Sequence, residues 1–452
     1  MGGYGLVRSS DYGGAVTQWR NWTGDQVCRP ARTLLPADAD QVAEAVTQAA
    51  RDGLTVRMAG SGHSFTAAAV TDGVLLRPER LTGLVSVDTG AGTVTVRAGT
   101  RLRELSRLLA PYGLALENLG DIDAQTVAGA ICTGTHGTGA CYGGLAAQVT
   151  GLELVLADGS AVRADADLLA AASVGLGAYG VITAVTLRCV PAFALRAVES
   201  AEKLDDLLGR WDTLPAEADH VEFYWWPHTR DCQLKRNTRV PPAELDPLPR
   251  WKAVLDDELV ANALFGAMCR AGVRVPALVP PANRLATRLL GERTYTDLSH
   301  RVFAHPRRVR FHETEWAMPR AALPDVLREL DATIRRRGWR VSFPVEVRVA
   351  AADDRWLSPA YGRPTAYLAA HRYVREPYED YVAAVAGVVA AVAGDDARPH
   401  WGKLHTLTAA ELAPRYPRFA DAIALRARLD PQGRFANPYT TRVLGPLPAG
   451  PG

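Results

Sequence analysis

The first third of the chain combines helical hydrophobic spacing with short alternating runs. Val42, Val46 and Ala49 recur at helical spacing after Asp38 or Asp40, either of which can cap a helix that continues to residue 51. Short apolar or alternating runs bounded by turn residues predict strands. The predicted helices are 38–51, 101–113 and 165–173, and the predicted strands are 54–60, 74–78, 84–88, 93–99 and 180–190, with a hairpin at 151–164. This mixture indicates an α+β domain that extends to about residue 192.

The next region of the chain has more tryptophan and arginine, and its strand-like segments alternate with helical stretches. Proline-rich segments at 241–250 and 275–284 are predicted to be loops. The longest apolar run, Tyr381–Gly394, is shorter than the roughly 20 residues that a membrane-spanning helix needs, so it is predicted to be a buried helix. The predicted strands here are 220–226, 312–319 and 339–351. The predicted units are a domain at 1–192, a domain at 193–397 and a C-terminal segment at 398–452.

Composition excludes several classes of protein. The chain has 452 residues, of which 48% are hydrophobic and 22% charged, as in ordinary globular proteins. Its net charge of +2 disfavours nucleic acid as a partner. Its six cysteines contain no CxxC pair, which argues against a disulfide scaffold and a zinc knuckle. The N-terminus lacks the pattern of a signal peptide, so we expect no membrane span and a cytoplasmic location.

A dinucleotide-type glycine pattern occurs at Gly175, Gly177 and Gly180. In a Rossmann unit this pattern follows a strand and opens a helix. Here it follows the predicted helix 165–173 and precedes the predicted strand 180–190, so the order is reversed. We therefore do not expect NAD to bind at this position. The glycines fit a close approach of the backbone, which could be to a different cofactor.

Two glycine-rich loops carry most of the functional signal. Residues 58–65 contain consecutive small residues whose backbone N–H groups can surround a phosphate, and His63 lies within them. Residues 120–139 interleave glycines with hydroxyl side chains that can bond a pyrophosphate or a polar ring edge. Each loop alone is also compatible with an ordinary structural turn. The two together indicate an extended polar cradle for a cofactor.

A second group of candidates is ionic. Glu346 and Arg348 are two positions apart in a strand-like segment, so they share one face while the neighbouring valines occupy the other. Lys403 lies in the sequence HWGK at 400–403. From pattern alone, a solvent-facing salt bridge and a surface loop remain open alternatives. The set His312, Glu313 and Glu315 is a poor match to a metal site, and we predict no metal.

Several of these stretches together resemble the vanillyl-alcohol-oxidase (p-cresol methylhydroxylase) superfamily. Within it, the chain is similar to sugar-1,4-lactone oxidases and dehydrogenases (L-gulono- and D-arabinono-1,4-lactone) and to alditol oxidases. The matching stretches occur in family order over nearly the whole chain. They are RMAGSGHSF (57–65), CTGTHGTG (132–139), GLELVLADG (151–159), GAYGVIT (177–183), VEVRVAAADDRWLSPAYGR (345–363), HWGKLH (400–405) and RLDPQGRFANPY (428–439).

The resemblance implies a two-subdomain FAD-binding domain, an α+β cap domain over the flavin ring, and a C-terminal segment that returns to the flavin. It also implies that His63 forms a covalent bond to the 8α-methyl group of FAD. A neutral imidazole near pH 7 is a suitable nucleophile for that bond. The positions implied to hold the cofactor are Ala59, Gly60, Ser61, Gly62, His63, Ser64, Gly120, Asp121, Gly129, Thr133, Thr135, His136, Gly137, Thr138, Gly180, Ile182 and His400.

The activity implied by the resemblance is oxidation of an alcohol carbon by hydride transfer to flavin N5. Lys403 and Arg348 would stabilise the developing alkoxide, and Glu346 would orient Arg348 and accept a hydroxyl hydrogen bond. Thr126 and His371 are further positions implied to contact the substrate. The substrate would be a sugar lactone or, alternatively, an alditol or another compound of a specialised pathway. Either O2, giving hydrogen peroxide, or a separate electron carrier would reoxidise the flavin.

Overall fold

Three sheets form the N-terminal part of the molecule. The computed structural model describes residues 18–249, 263–288, 291–305 and 308–447, so residues 1–17, 448–452 and residue 250 of the predicted loop lie outside it. Strands β1 and β2 pair with each other, β3-β5-β4 form a parallel sheet, and a six-stranded antiparallel sheet has the order β10-β9-β11-β7-β6, with β8 paired to β11. These strands are β1 Trp19–Arg20, β2 Val27–Cys28, β3 Arg32–Leu34, β4 Val56–Met58, β5 Val74–Leu76, β6 Leu84–Asp88, β7 Thr93–Arg97, β8 Leu114–Leu116, β9 Val149–Val155, β10 Ala161–Arg163 and β11 Val181–Pro191.

One eight-stranded antiparallel sheet dominates the rest of the chain. Its strand order is β15-β12-β14-β13-β17-β18-β16-β19, so strands far apart in sequence become neighbours. These strands are β12 Ala194–Lys203, β13 His220–Trp225, β14 Asp231–Val240, β15 Arg293–Leu298, β16 Phe311–Pro319, β17 Val345–Ala350, β18 Thr365–Tyr373 and β19 Arg398–Pro399. One face packs on a hydrophobic core that includes Val221, Leu234, Val345 and Leu368. The alternate residues of β13, β14 and β17 therefore face the opposite side.

The helices are distributed along the whole described chain. They are α1 Ala39–Arg51, α2 Leu102–Leu109, α3 Val127–Cys132, α4 Ala166–Ala172, α5 Leu204–Gly209, α6 Phe265–Arg274, α7 Val279–Arg288, α8 Ser299–Phe303, α9 Leu323–Arg336, α10 Glu379–Ala393, α11 Ala409–Leu412, α12 Phe419–Leu429 and α13 Pro438–Leu444. The α+β class predicted from the sequence is thus confirmed. Within the described ranges, no helix combines the length and apolar character needed to cross a membrane.

Local sequence signals account for several of these helices. The Asp38 side chain accepts a hydrogen bond of 2.9 Å from the Gln41 amide, so Asp38 rather than Asp40 caps α1. α2 ends earlier than the predicted 101–113, because the chain tightens into a 3₁₀ turn at 110–112 and Gly113 then adopts a left-handed conformation (φ 65°). The apolar run at 381–394 forms most of α10, which buries Tyr381, Val385 and Val389, as predicted.

One local prediction from proline is wrong, and two predicted strands are longer than the strands observed. Segment 275–284 was predicted to be a loop, but it forms a 3₁₀ turn followed by the first part of α7. Pro280 and Pro281 lie in the first turn of that helix, where backbone N–H groups need no helical partner. The predicted strand 339–351 is ordered as a strand only over β17. Similarly, the predicted strand 54–60 is limited to β4.

The C-terminal segment packs against the N-terminal part of the chain. Trp401, Leu425 and Val443 belong to the same hydrophobic core as Ile131 and Val185 of α3 and β11. Backbone contacts connect the two ends as well, since the Val56 amide of β4 donates to the Arg434 carbonyl at 2.7 Å. Residues from both ends and from the eight-stranded sheet therefore meet around one region.

Candidate active site

Two adjoining cavities occupy that region. The smaller, of about 120 Å³, lies between the loop at 60–64, α3 and the glycine segment at 177–182. The larger, of about 720 Å³, lies over the polar face of the eight-stranded sheet. His63, Ser64, Gln125 and Thr133 line both cavities, so the two form one elongated space with His63 at the junction.

Glycine residues form part of the wall of the smaller cavity. A Cβ atom on Gly60 would lie 2.4 Å from Thr126 Oγ1, so no larger residue fits there without displacing that side chain. Gly62 has a φ of +71°, a conformation that L side chains rarely adopt. The backbone at this loop can therefore approach a ligand closely.

A buried cation also faces the smaller cavity. The Arg57 guanidinium donates hydrogen bonds to the carbonyls of Leu176 at 2.6 Å and Phe435 at 2.8 Å, and Arg57 Nε has no hydrogen-bond partner within the described residues. Burial lowers the pKa of Arg57 to about 10, so it keeps its charge at neutral pH. The positive charge suits an anionic ligand group such as a phosphate.

His63 is positioned as a neutral imidazole at the junction. Its ring stacks on Trp22 with a centroid separation of 5.9 Å, and no hydrogen bond joins it to the residues that the structure describes. Burial, with smaller contributions from Lys403 and Arg101, lowers the pKa of His63 to about 4. The ring nitrogens therefore carry a free lone pair at pH 7.

The first ionic cluster of the larger cavity surrounds Arg348 on β17. Its guanidinium donates to Glu222 Oε2 at 2.8 Å, forms a close ion pair with Glu346, and lies 3.6 Å from Asp121 Oδ2. The Nε–H donates to Glu222, so Glu346 Oε1 is in close ionic contact with Nε but accepts no hydrogen bond from a described residue. Burial raises the pKa of Glu346 to about 7; Arg348 opposes this effect, and Asp121 and Glu222 add to it.

The second ionic cluster surrounds Lys403. The ammonium donates to Glu313 Oε2 at 2.5 Å and lies 3.9 Å from Glu315 Oε2, both on β16. Burial acts against the charge of Lys403, but the two glutamates outweigh it and raise the pKa of the lysine. Burial likewise opposes ionisation of Glu313 and Glu315, and the neighbouring Lys403 and histidine partners hold their pKa values below the usual range. All three groups are therefore charged at neutral pH.

Two histidines extend this second cluster. His136 Nδ1 lies 2.8 Å from the Gly137 carbonyl and Nε2 lies 2.9 Å from Glu315 Oε1, so both ring nitrogens face oxygen atoms. The Tyr367 ring stacks on it with a centroid separation of 3.6 Å. His371 repeats the arrangement more loosely, between the Pro344 carbonyl at 3.2 Å and Glu313 at 3.5 Å.

Ligand-type atoms of His136, Glu315 and His400 lie within 4.8 Å of one another. Hydrogen bonds engage this group already: His136 pairs with Glu315, and His400 Nδ1 accepts from the Gly402 amide at 3.0 Å. The sequence did not suggest this grouping. The predicted absence of a metal site stays a prediction.

Comparisons with known proteins agree with this geometry. Residues 185–443, more than half of the chain, match the family model described as D-arabinono-1,4-lactone oxidase. The chain belongs to this lactone oxidase family. Residues 30–165 match the model of an FAD-binding domain. This member of the family is therefore an FAD-linked oxidoreductase, as the resemblance implied.

Relatives of this family member cover almost its full length. It is 42% identical over 429 residues to an L-gulono-1,4-lactone dehydrogenase of Mycobacterium tuberculosis, covering 95% of this chain and 99% of the relative. It is 35% identical over 432 residues to an alditol oxidase of a Streptomyces species, covering 94% and 98%. A cholesterol oxidase from B. sterolicum has the same fold, with a TM-score of 0.80 at 20% identity over 95% of this chain and 97% of that structure.

Most residues that the family resemblance pointed to line one of the two cavities. Thr126 lines only the smaller cavity, where its hydroxyl caps α3 by accepting from the Gly129 amide at 3.2 Å. The residues that line the smaller cavity are Gly60, Ser61, Gly62, His63, Ser64, Thr126, Gly129, Thr133, Gly180 and Ile182. Those that line the larger cavity are His63, Ser64, Gly120, Asp121, Thr133, Thr135, His136, Glu346, Arg348, His371, His400 and Lys403.

Three of the predicted positions line neither cavity and support the loops from behind. Ala59 is fully buried beside Trp19 and Leu75. Gly137 packs so closely on Leu119 that an added Cβ would lie 2.4 Å from that carbonyl oxygen. Thr138 bonds to the backbone of Val221 and Val349 and so connects its loop to the sheet.

Sequence reasoning missed the partners of the catalytic candidates in this family member. The sequence pattern indicated Glu313 and Glu315 only as members of a poor metal-ligand set. It indicated no role for Glu222 or Arg57. The signal for the first two was present, because they alternate on a predicted strand in the same way as Glu346 and Arg348. Glu222 has the same spacing relation to the core residues Val221 and Phe223 of β13.

Proposed function

We propose that the protein oxidises a CH–OH group of a sugar lactone, of the L-gulono-1,4-lactone or D-arabinono-1,4-lactone type, with FAD as hydride acceptor. The observation that carries this proposal is one continuous space in which Lys403, Arg348 and Glu346 share a cavity with His63, and a glycine cradle adjoins it. The family model and the mycobacterial relative support the substrate class.

The residues present fit an elongated cofactor with phosphates at one end. The glycine loop and the charge of Arg57 suit the pyrophosphate in the smaller cavity. His63, Ser64, Gln125 and Thr133 line both cavities, and the residues of the larger cavity, with its two ionic clusters, would hold the flavin ring. When bound, FAD supplies a hydride acceptor at N5.

Residues of this chain accept the hydroxyl proton of the substrate and stabilise the negative charge on its oxygen. Arg348 is buried and Lys403 is partly buried, and both cations stabilise negative charge on the reacting hydroxyl oxygen. Glu346 Oε1 is ion-paired with Arg348 but accepts no hydrogen bond from a described residue, and we assign it as the acceptor of the hydroxyl proton. Its pKa of about 7 suits a proton acceptor at neutral pH. Glu313 holds Lys403 in position through its hydrogen bond to the ammonium.

His63 would form a covalent bond to the 8α-carbon of the flavin in this proposal. The methyl group and the imidazole would each lose a proton, and the flavin would take up the two electrons, which the acceptor of turnover (O2 or an electron carrier) would then remove. Three features support this bond: the position at the junction of the two cavities, the neutral ring and the free lone pair. Acid precipitation of the purified holoenzyme tests it directly. The yellow colour should stay in the pellet, whereas in His63→Ala it should pass into the supernatant; colour in the wild-type supernatant would contradict the bond.

An anaerobic titration tests the substrate proposal. L-gulono-1,4-lactone, D-arabinono-1,4-lactone and xylitol are mixed separately with the holoenzyme, and the flavin absorbance is followed. Bleaching by at least one lactone is expected. Readmission of air shows whether O2 restores the colour or an added electron carrier is needed. Protein that takes up no FAD, or flavin that neither lactone bleaches, would overturn the proposal.

Alditol oxidation is the second candidate, because the Streptomyces relative with that name is 35% identical over most of the chain. Bleaching by xylitol but by neither lactone would select it. The cytoplasmic location stays a prediction from the sequence.

A further inference from the structure

We propose that the larger cavity holds a second binding region, which takes a sugar unit attached to the far end of the oxidised molecule. This inference rests on the proposed function and specifies its substrate class as a glycosylated lactone or polyol. The region is called the distal floor below and consists of Glu222, Lys235, Gln233, Glu199 and Arg293. Except for Glu222, all of them line the cavity.

The distal floor begins with a row of alternating charges that crosses the sheet from Arg348. Glu222 on β13 lies opposite Lys235 on β14 in the strand register, Lys235 lies opposite Glu199 on β12, and Glu199 lies opposite Arg293 on β15. Arg348 on β17 joins the row through its 2.8 Å bond to Glu222. The charges along the row therefore run plus, minus, plus, minus, plus over five adjacent strands.

This row of charged side chains is longer than one small lactone molecule. Neighbouring strands lie about 4.8 Å apart, so β14 and β12 are roughly 10 and 14 Å from β17. Lys403 and its partner Glu313 lie on the other side of β17, beyond β18. A single lactone whose reacting end contacts Arg348 and Lys403 is therefore too small to contact the distal floor. A second unit attached to that molecule would extend across it.

Lys235 gives the distal floor an available donor. Its side chain is only 13% exposed, yet its ammonium makes no hydrogen bond to a described residue, and its nearest carboxylate oxygen, on Glu222, is 3.9 Å away. Glu199, by contrast, accepts from Gln233 at 2.8 Å and from Arg293 at 2.7 Å. The floor therefore combines a fixed carboxylate with a buried ammonium that can bond a ligand hydroxyl.

Another part of the cavity lining is apolar. Phe265 and Met268 of α6 and Leu285 of α7 line the same cavity, together with Leu264. Both leucines are well exposed to solvent: Leu264 is 49% exposed and Leu285 is 58% exposed. A sugar ring has hydroxyl groups at its edge and C–H groups on its faces, so it matches a polar floor on one side and an apolar wall on the other.

Competitive inhibition of lactone oxidation tests the inference. The inhibitors are sorbitol and 6-O-α-D-glucopyranosyl-sorbitol, which carries the second sugar at the end remote from C1. In the wild-type holoenzyme the glucosylated compound should have an inhibition constant at least tenfold lower than that of sorbitol. Equal constants, or weaker binding of the larger compound, would overturn the inference.

Variants at Lys235 sharpen this test. The ratio of the two inhibition constants should fall toward one in Lys235→Met and recover largely in Lys235→Arg, which keeps the hydrogen-bond donors. Lys203→Met is the matched control, because Lys203 is an exposed lysine on β12 paired with Asp231 and lies outside the cavity. A ratio that persists in Lys235→Met would contradict the distal floor. Lactone turnover by the wild type tests the proposed function separately.

Discussion

The two ionic clusters of the larger cavity contain similar side chains, but the pKa values of their glutamates are shifted in opposite directions. Around Lys403, two glutamates face two basic side chains, Lys403 and His136, so acidic and basic groups are balanced and the pKa values of both glutamates are held low. Around Arg348, three carboxylates share one guanidinium, and the pKa of Glu346 is raised to about 7. The ratio of cations to carboxylates, rather than burial alone, decides which cluster fixes a cation and which can take up a proton.

Removal of the proton acceptor should have the largest effect. Glu346→Gln should lower the limiting rate of flavin reduction by about 100- to 10,000-fold, because the amide cannot accept the hydroxyl proton. Stopped-flow bleaching of the flavin measures this rate. In the wild type the rate should rise with pH through a pKa near 7, since the carboxylate must be ionised.

The pH profile provides the decisive control for that variant. The rise near pH 7 should disappear in Glu346→Gln. It should remain in the control variant Glu244→Gln, because Glu244 is an exposed carboxylate. A variant that keeps both the wild-type rate and the pH dependence would show that Glu346 is not the proton acceptor.

Removal of the fixed cation should have the next largest effect. Lys403→Met should lower the rate of flavin reduction by about 100- to 1,000-fold, the usual cost of losing one group that stabilises developing negative charge. Lys203→Met is again the matched control and should behave as the wild type. A reduction rate within a few-fold of the wild type in Lys403→Met would assign the stabilisation to Arg348 alone.

The balanced cluster should also depend on its own internal pairs. Glu315→Gln removes the buried carboxylate that bonds His136 Nε2 at 2.9 Å, so the protein should lose about 1.5–3 kcal/mol of stability, the usual contribution of a hydrogen bond to a charged group. Chemical denaturation of the holoenzyme measures the free energy of unfolding, with Glu329→Gln on the exposed face of α9 as the control. Unchanged stability would show that the contact between His136 and Glu315 does not stabilise the fold.

The smallest expected effect tests the unbalanced cluster. Glu222→Gln removes one of the negative charges near Glu346, so the pH at which the flavin reduction rate rises should move down. The full pH profile is compared with that of the wild type. A profile that stays in place or moves up would show that Glu222 does not contribute to the raised pKa of Glu346.

The sequence by itself determined the local elements and the chemistry-bearing positions. The aspartate cap of α1, the glycine loops and the alternation of Glu346 and Arg348 with buried valines depend on neighbours within a few residues, so periodicity and residue type suffice to predict them. The same reasoning failed at 275–284, where the prolines lie in the first turn of a helix instead of interrupting it.

Only the tertiary structure decided the partners of these residues. Lys403 bonds to Glu313, 90 positions away, and His136 pairs with Glu315, 179 positions away. The charge row from Arg348 to Arg293 exists because the sheet places β17, β13, β14, β12 and β15 side by side in an order that differs from their order in the chain. Strand order and register result from the packing of the whole sheet, so no local pattern determines which carboxylate meets which cation, or whether a cluster is balanced.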